Sequence, residues 1–223
     1  MSERIDDLQY NGLKLIQDTD GFRFGCDAVE LANFVSGKRG SRACDLGSGS
    51  GIISVLLAAK KGFKMTAVEI DGAAADLCVR NARINNLTQS ITVEHMRIQD
   101  LPQKYPRGAF DIAVANPPYQ KLSYGKPAAA APVARHELTL TLKELVAAAA
   151  YLLKFGGKFY LVHKSQRMAE ALFLCKAARL EPKVLQLLAP AVDKPPHLFL
   201  LQCAHSAAEG LVVLPERLIS TQV

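Results

Sequence analysis

The sequence predicts an α/β domain built on a doubly wound, mostly parallel sheet, and three observations predict it. Strand-like and helix-like segments alternate from about Arg42 to the end of the chain. A glycine-rich turn, Asp45-Leu46-Gly47-Ser48-Gly49-Ser50-Gly51, joins the first strand of that series to a helix. An acid, Glu69, then closes the next strand roughly 20 residues on, the spacing at which such sheets bind the ribose of a nucleotide at their carboxyl edge.

Composition sets the frame. The 223 residues are 49% hydrophobic and 22% charged, which is globular and excludes disordered, collagen-like and disulfide-scaffold chains. No run approaches the roughly 20 apolar residues of a membrane span, and the start, Met1 to Asp7, is polar without an apolar core segment, so the expectation is a cytoplasmic protein. The five cysteines, Cys26, Cys44, Cys78, Cys175 and Cys203, are scattered with no C-x-x-C pair, which predicts reduced thiols and no metal site. A net charge of +6 suits a polyanionic partner but does not by itself require one.

Taken in order, Leu8 to Tyr10 and Leu13 to Ile16 flank Asn11-Gly12, a hairpin signal. Asp27 has the chemistry of an N-cap for a helix through Val29, Leu31, Ala32 and Phe34 that stops near Gly37. Residues 1–40 thus form a hairpin-and-helix extension, and 41–223 the main domain. Apolar runs predict strands over 42–46, 64–69, 91–94, 110–115, 157–163, 182–188 and 198–204, and helical spacing predicts helices over 51–61, 71–85, 138–154 and 165–178. Residues 120–137 break the rhythm with two prolines, four successive alanines and the cations Lys121, Lys126, Arg135 and His136. A connection that long reads as a substrate loop. Lys194, with Arg135, is a candidate for phosphate contact.

In the glycine turn, the absence of a Cβ lets the backbone approach a ligand closely, and helix amides point at whatever binds there. Ile52 stands where a dinucleotide fingerprint needs its third glycine, so nicotinamide and flavin cofactors are disfavoured. Glu69 can accept both hydroxyls of a ribose. Asp71 reads as a helix cap, and Asp100 either as an acceptor for an adenine amino group or as an N-cap before Leu101-Pro102. These residues resemble the class I methyltransferases, in which the D-x-G-x-G-x-G turn, the acid after strand two and an acid after strand three hold S-adenosylmethionine. The resemblance implies strand order 3-2-1-4-5-7-6 with the last strand antiparallel. It implies a cofactor site of Phe24, Asp27, Asp45, Gly47, Ser48, Gly49, Gly51, Glu69, Ile70, Asp100 and Asn116, with Asp27 and its neighbours beside the methionine half.

Asn116-Pro117-Pro118-Tyr119 follows the apolar run of strand four. Paired prolines stiffen the backbone, remove amide donors and can aim carbonyls outward. The lone pair of an aryl amine is delocalised into its ring, and acceptors at the Asn116 side chain and the Pro117 carbonyl can localise it for in-line attack on a methyl donor. Tyr119 can stack on the base, worth about 1–3 kcal/mol in other nucleic-acid systems. The tetrapeptide matches the N-P-P-Y motif of exocyclic-amine methyltransferases. Together with Gly21 to Ala28, Asp45 to Gly51 and Ala134-Arg135-His136-Glu137, it is most similar to the bacterial enzymes that methylate N6 of adenine 37 in valine tRNA. That resemblance implies an RNA substrate, a tRNA, and catalytic roles for Asn116, Pro117 and Tyr119. Cys26 departs from the small or polar residue expected there.

Other readings are weighed against it. Release factor glutamine methylation uses the same tetrapeptide but a sizeable helical domain before the cofactor turn, where only about 40 residues stand here. Methylation of guanine N2 in ribosomal RNA uses the same corner with Phe for Tyr, and a non-enzymatic nucleic-acid module would need neither Glu69 nor Asn116. His163 and Lys164 read as a polar strand end, and His197 as part of a turn.

Overall fold

In a computed structural model that describes residues 3–18, 25–118 and 140–219, strands alternate with helices as the hydrophobic pattern demands. The strands are β1 (Glu3–Asp7), β2 (Lys14–Asp18), β3 (Arg42–Leu46), β4 (Lys64–Glu69), β5 (Ile91–His95), β6 (Phe110–Ala115), β7 (Leu153–Lys164), β8 (Leu180–Ala189), β9 (Leu198–His205), β10 (Val212–Val213) and β11 (Arg217–Leu218). The helices are α1 (Cys26–Phe34), α2 (Ile52–Lys61), α3 (Gly72–Ile84), α4 (Leu101–Lys104), α5 (Leu142–Leu152) and α6 (Met168–Ala177).

The core sheet runs β5-β4-β3-β6-β7-β9-β8, the predicted 3-2-1-4-5-7-6 order, and β9 is antiparallel to both of its neighbours. Burial explains why β3, β4 and β6 are so legible. In a parallel strand covered on both faces, every residue is apolar or paired, as in Ala43, Cys44, Asp45 and Leu46, all buried. Side-chain alternation then splits the core in two. Ala43, Met65, Ala67, Ile112 and Val114 pack with α1, α2 and α3, whereas Cys44, Leu46, Val68, Ala113 and Ala115 pack with α5 and α6. Each fully buried Leu in these layers contributes on the order of 1.5–3 kcal/mol.

Helix ends follow from local chemistry. Thr141 and Glu144 form a reciprocal capping box on α5, and Asp71 caps α3 by accepting from Ala74 N at 2.9 Å. Gly51 and Gly62 bracket α2 in left-handed conformations, at φ 85° and 67°.

Four expectations are corrected. The first hairpin strand is Glu3–Asp7; Leu8 to Leu13 form the turn, in which Asn11 and Gly12 take φ of 47° and 71° and Leu13 N donates to Tyr10 O at 2.9 Å. Asp27 lies inside the first turn of α1 with Gly25 as N-cap. The fifth helix ends at Leu152, because Leu153 to Gly157 already enter β7 through an irregular register opposite Phe110 and Ile112. Beyond β9, β10 and β11 add to the open edge of β8 and extend the sheet to nine strands.

Candidate active site

The carboxyl ends of β3, β4 and β6 adjoin, so three loops meet at one rim. After β3 the backbone turns sharply. Gly47 N and Ser48 N both donate to Val68 O, at 2.9 and 3.0 Å, which locks the turn to the end of β4. Gly47 and Gly49 take φ of 79° and 54°, and a Cβ on either would point into open space. Gly51 differs, because a Cβ there would overlap Cys78 Sγ of α3. Of the three glycines, the first two leave room for a ligand, and the third lets a helix pack close.

Glu69 closes the turn from the neighbouring strand. Its Oε2 accepts from Gly49 N at 2.8 Å, and its Oε1 from Ile70 N and Asp71 N at 2.8 and 2.9 Å. Asp45 lies beneath it, fully buried. Its Oδ2 accepts from Ser54 Oγ at 2.8 Å, while Oδ1 has no hydrogen-bond partner. Burial pushes its carboxyl up to about 7; the Ser54 hydroxyl opposes this and the nearby charge of Glu69 adds to it.

Across the rim, Asn116 follows β6 and its Nδ2 donates to Asp27 Oδ2 at 3.3 Å. Asp27 is 6% exposed, and its Oδ1 accepts from Ala28 N at 2.9 Å. Pro117 is half-buried and Pro118 exposed beside it. Asp100 ends a short 3-10 turn, half-buried, and caps no amide of α4 with its side chain. Ile70 is half-buried, its carbonyl 3.1 Å from His95 Nε2. Lys194 is exposed in the connection from β8 to β9, which lies at this same edge because β8 runs parallel to β7. Phe24, Tyr119, Lys121, Lys126 and Arg135 fall outside the described residues. Among the described residues no cluster of three or more ligating side chains could hold a metal, and no helix is long and apolar enough to cross a membrane.

Sequence reasoning missed Asn81. This buried α3 side chain donates to Ser50 O at 2.9 Å and to Ile16 O at 3.0 Å, and accepts from Ile16 N at 2.7 Å, joining the glycine turn to the hairpin. An asparagine within a helical pattern carries no signal of such partners. His163 lies at the polar end of β7 as expected, but buried: it is 1% exposed, stacks on Phe199 and accepts from Lys164 N at 2.8 Å. Burial, aided by Arg167, holds its imidazole down at about 4, so it is neutral at pH 7.

The residues present fit an adenosine cofactor. Two glycines open onto free space, Glu69 offers an acceptor beside them, and the buried Asp45 has an oxygen without a partner. The fold and this rim define an S-adenosylmethionine-dependent methyltransferase. The chain belongs to the methyltransferase small domain family, whose model matches residues 28–181. A tRNA1(Val) (adenine(37)-N6)-methyltransferase of Shewanella sediminis is 28% identical over 84% of this chain and 80% of its own length. One of Porphyromonas gingivalis is 30% identical over 74% of this chain and 64% of its own, so the chain spans slightly under two thirds of that relative. Among solved structures, a predicted O-methyltransferase of Agrobacterium tumefaciens shares the fold with a TM-score of 0.70 at 20% identity, over 86% of each chain.

Proposed function

We propose that this chain methylates N6 of an adenine in tRNA, acting in the cytoplasm, with the chemistry centred on Asn116 and Pro117. The observation that carries the reading is the junction of Asn116 with Asp27 at the rim beside the glycine turn. A carboxylate only accepts, so the Asn116 amide must present Nδ2 to Asp27, which turns Oδ1 the other way, toward an incoming amine. Bound S-adenosylmethionine supplies an electrophilic methyl group. The Asn116 Oδ1 and the Pro117 carbonyl each accept a hydrogen bond from the exocyclic amine, drawing its lone pair out of conjugation and fixing its approach. Tyr119 stacks on the flipped base.

In the same reading Gly47, Ser48, Gly49, Glu69 and Ile70 hold the cofactor's ribose and adenine with Asp100, and Asp45 braces the turn from below. Lys121, Lys126, Arg135 and Lys194 meet substrate phosphates. The names of the two relatives described above support an adenine in tRNA as the target.

The test is to incubate the protein with labelled S-adenosylmethionine and total RNA from a strain lacking the gene, then digest the RNA and map the labelled nucleoside. N6-methyladenosine from the tRNA fraction is expected. Label in guanosine, or in protein alone, overturns the assignment.

A further inference from the structure

Charge is divided unevenly between the two edges of the sheet. Around the carboxyl rim stand the acids Asp27, Asp45, Glu69, Asp71 and Asp100, suited to a cofactor, beside the cations Lys164 and Lys194. At the amino edge the strand starts bring cations together: Lys38, Arg39, Arg42, Lys61, Lys64, Arg107, Lys154 and Lys158, all exposed or half-buried.

Backbone and side-chain contacts make this edge continuous. Gly40 N donates to Gly62 O and Lys64 N to Ser41 O, both at 2.9 Å, and the Arg39 side chain lies against Gly62. Arg42 N and Lys154 Nζ meet on one carboxylate, Asp111, at 2.9 and 2.7 Å, and Lys158 Nζ reaches Ser36 Oγ at 3.4 Å. Arg107 covers the ring of Tyr151, whose carbonyl accepts from Gly108 N at 3.0 Å. Along the edge from β4 to β7 these eight cations stand with one acid, Asp111; at the start of β8, Lys176 pairs with Glu181 and Glu209. The remaining residues of the chain carry 19 Lys and Arg against 20 Asp and Glu.

Phe155 projects from the middle of this edge. It is 85% exposed, between Lys154 and the Gly156-Gly157 turn. A largely exposed ring beside Lys154 on this cationic edge has the chemistry of a stacking platform for an unpaired base with phosphates nearby.

We propose that the amino edge, Phe155 with the surrounding Lys and Arg side chains, is a second RNA-binding surface that grips the substrate tRNA away from the methylated adenine. The two edges lie about one strand length apart, roughly 20 Å for six residues, a span that a folded tRNA bridges. The rim receives the base, and the basic edge adds counterion-release affinity to that of the proposed phosphate contacts. The identity of the RNA rests on the function proposed above.

The test measures binding of a fluorescent tRNA transcript, separately from methylation of a short stem-loop that carries the target adenine. Combining Lys38→Glu, Arg39→Glu and Lys64→Glu should weaken tRNA binding at least about tenfold and flatten the slope of log K against log salt by about 2 to 3. These exposed positions should leave the melting temperature and the turnover of the stem-loop unchanged. Phe155→Ala and Phe155→Leu should each weaken tRNA binding about tenfold, while Phe155→Trp retains it. Wild-type tRNA affinity and salt slope in the triple variant overturn the proposal. So does a Phe155→Leu variant that binds tRNA normally while the triple variant loses only its hold on anionic phospholipid vesicles, which identifies a membrane as the partner. Loss of tRNA affinity upholds the surface even if the wild-type protein leaves the stem-loop unmethylated; that second result falls on the proposed reaction alone.

Discussion

The side-chain amide of Asn116 donates to the carboxylate of Asp27, Nδ2 to Oδ2 at 3.3 Å, and so ties the first turn of α1 to the corner after β6. Gly25 makes room for this arrangement, since a Cβ there would stand 2.7 Å from Asp27 Oδ1. Asn116→Ala should lower cofactor affinity far less than turnover, which falls by about 100-fold or more, the scale of losing one positioned polar group from a transition state. Asp27→Ala should lower turnover as well, yet cost little more once Asn116 is already Ala, because its effect passes through the amide. Additive losses in the double variant would separate the two residues.

Asp45 makes stability depend on pH in a definite direction. Its carboxyl is raised from 3.8 to about 7 in the fold, mainly by burial, so the folded chain favours the protonated acid. The contribution is complete below about pH 4 and is lost as pH rises through 7, a change on the order of 2–4 kcal/mol. Asp45→Asn removes the titration. Urea unfolding of the ligand-free protein at pH 5 and pH 8 should show wild type losing stability over that interval and the variant losing much less. Parallel curves would mean that Asp45 is ionised throughout.

The three glycines of the turn should separate by assay. Gly51→Ala combines a left-handed φ of 85° with overlap on Cys78 Sγ, and should cost more than about 2 kcal/mol of stability. Gly47→Ala and Gly49→Ala meet no atoms, so their cost is the backbone strain of about 1–2 kcal/mol. Their greater loss should be in cofactor affinity, because the new methyl occupies the open space. Equal falls in melting temperature for all three would refute the division between packing and binding glycines.

The parts of the fold legible in the sequence are those whose signal is local. Strands β3, β4 and β6 are largely apolar runs that close on a glycine turn, an acid or an asparagine, and the parallel sheet that buries both of their faces produces that pattern. Strand β1, Glu-Arg-Ile-Asp-Asp, is mostly exposed and pairs with β2 in a separate two-stranded sheet, so no burial writes an alternation into it. The two-residue strands β10 and β11 are shorter than any periodicity. At the site, Asp45, Glu69 and Asn116 stand out because strand ends and turns restrict residue type. Asn81 does not, because its partners Ile16 and Ser50 lie 65 and 31 residues away in sequence and only the packed fold brings them together.

Glu69 has two duties that substitution should pull apart. A carboxylate has about four lone-pair sites. Two on Oε1 take the amides of Ile70 and Asp71 and one on Oε2 takes that of Gly49, which leaves one on Oε2 for a ligand hydroxyl. Glu69→Ala strands three amides, so it should lower the melting temperature as well as abolish cofactor binding. Glu69→Gln keeps the shape and one acceptor oxygen. Its amide group must face either Gly49 N or the paired amides of Ile70 and Asp71, donor against donor, at a cost of about 1–3 kcal/mol. Titration of S-adenosylhomocysteine into folded Glu69→Gln should then show affinity down about tenfold or more, with a smaller fall in melting temperature than in Glu69→Ala. If the Gln variant binds like wild type while its melting temperature falls, Glu69 is a strut for the glycine turn and the ribose acceptor lies elsewhere on the rim.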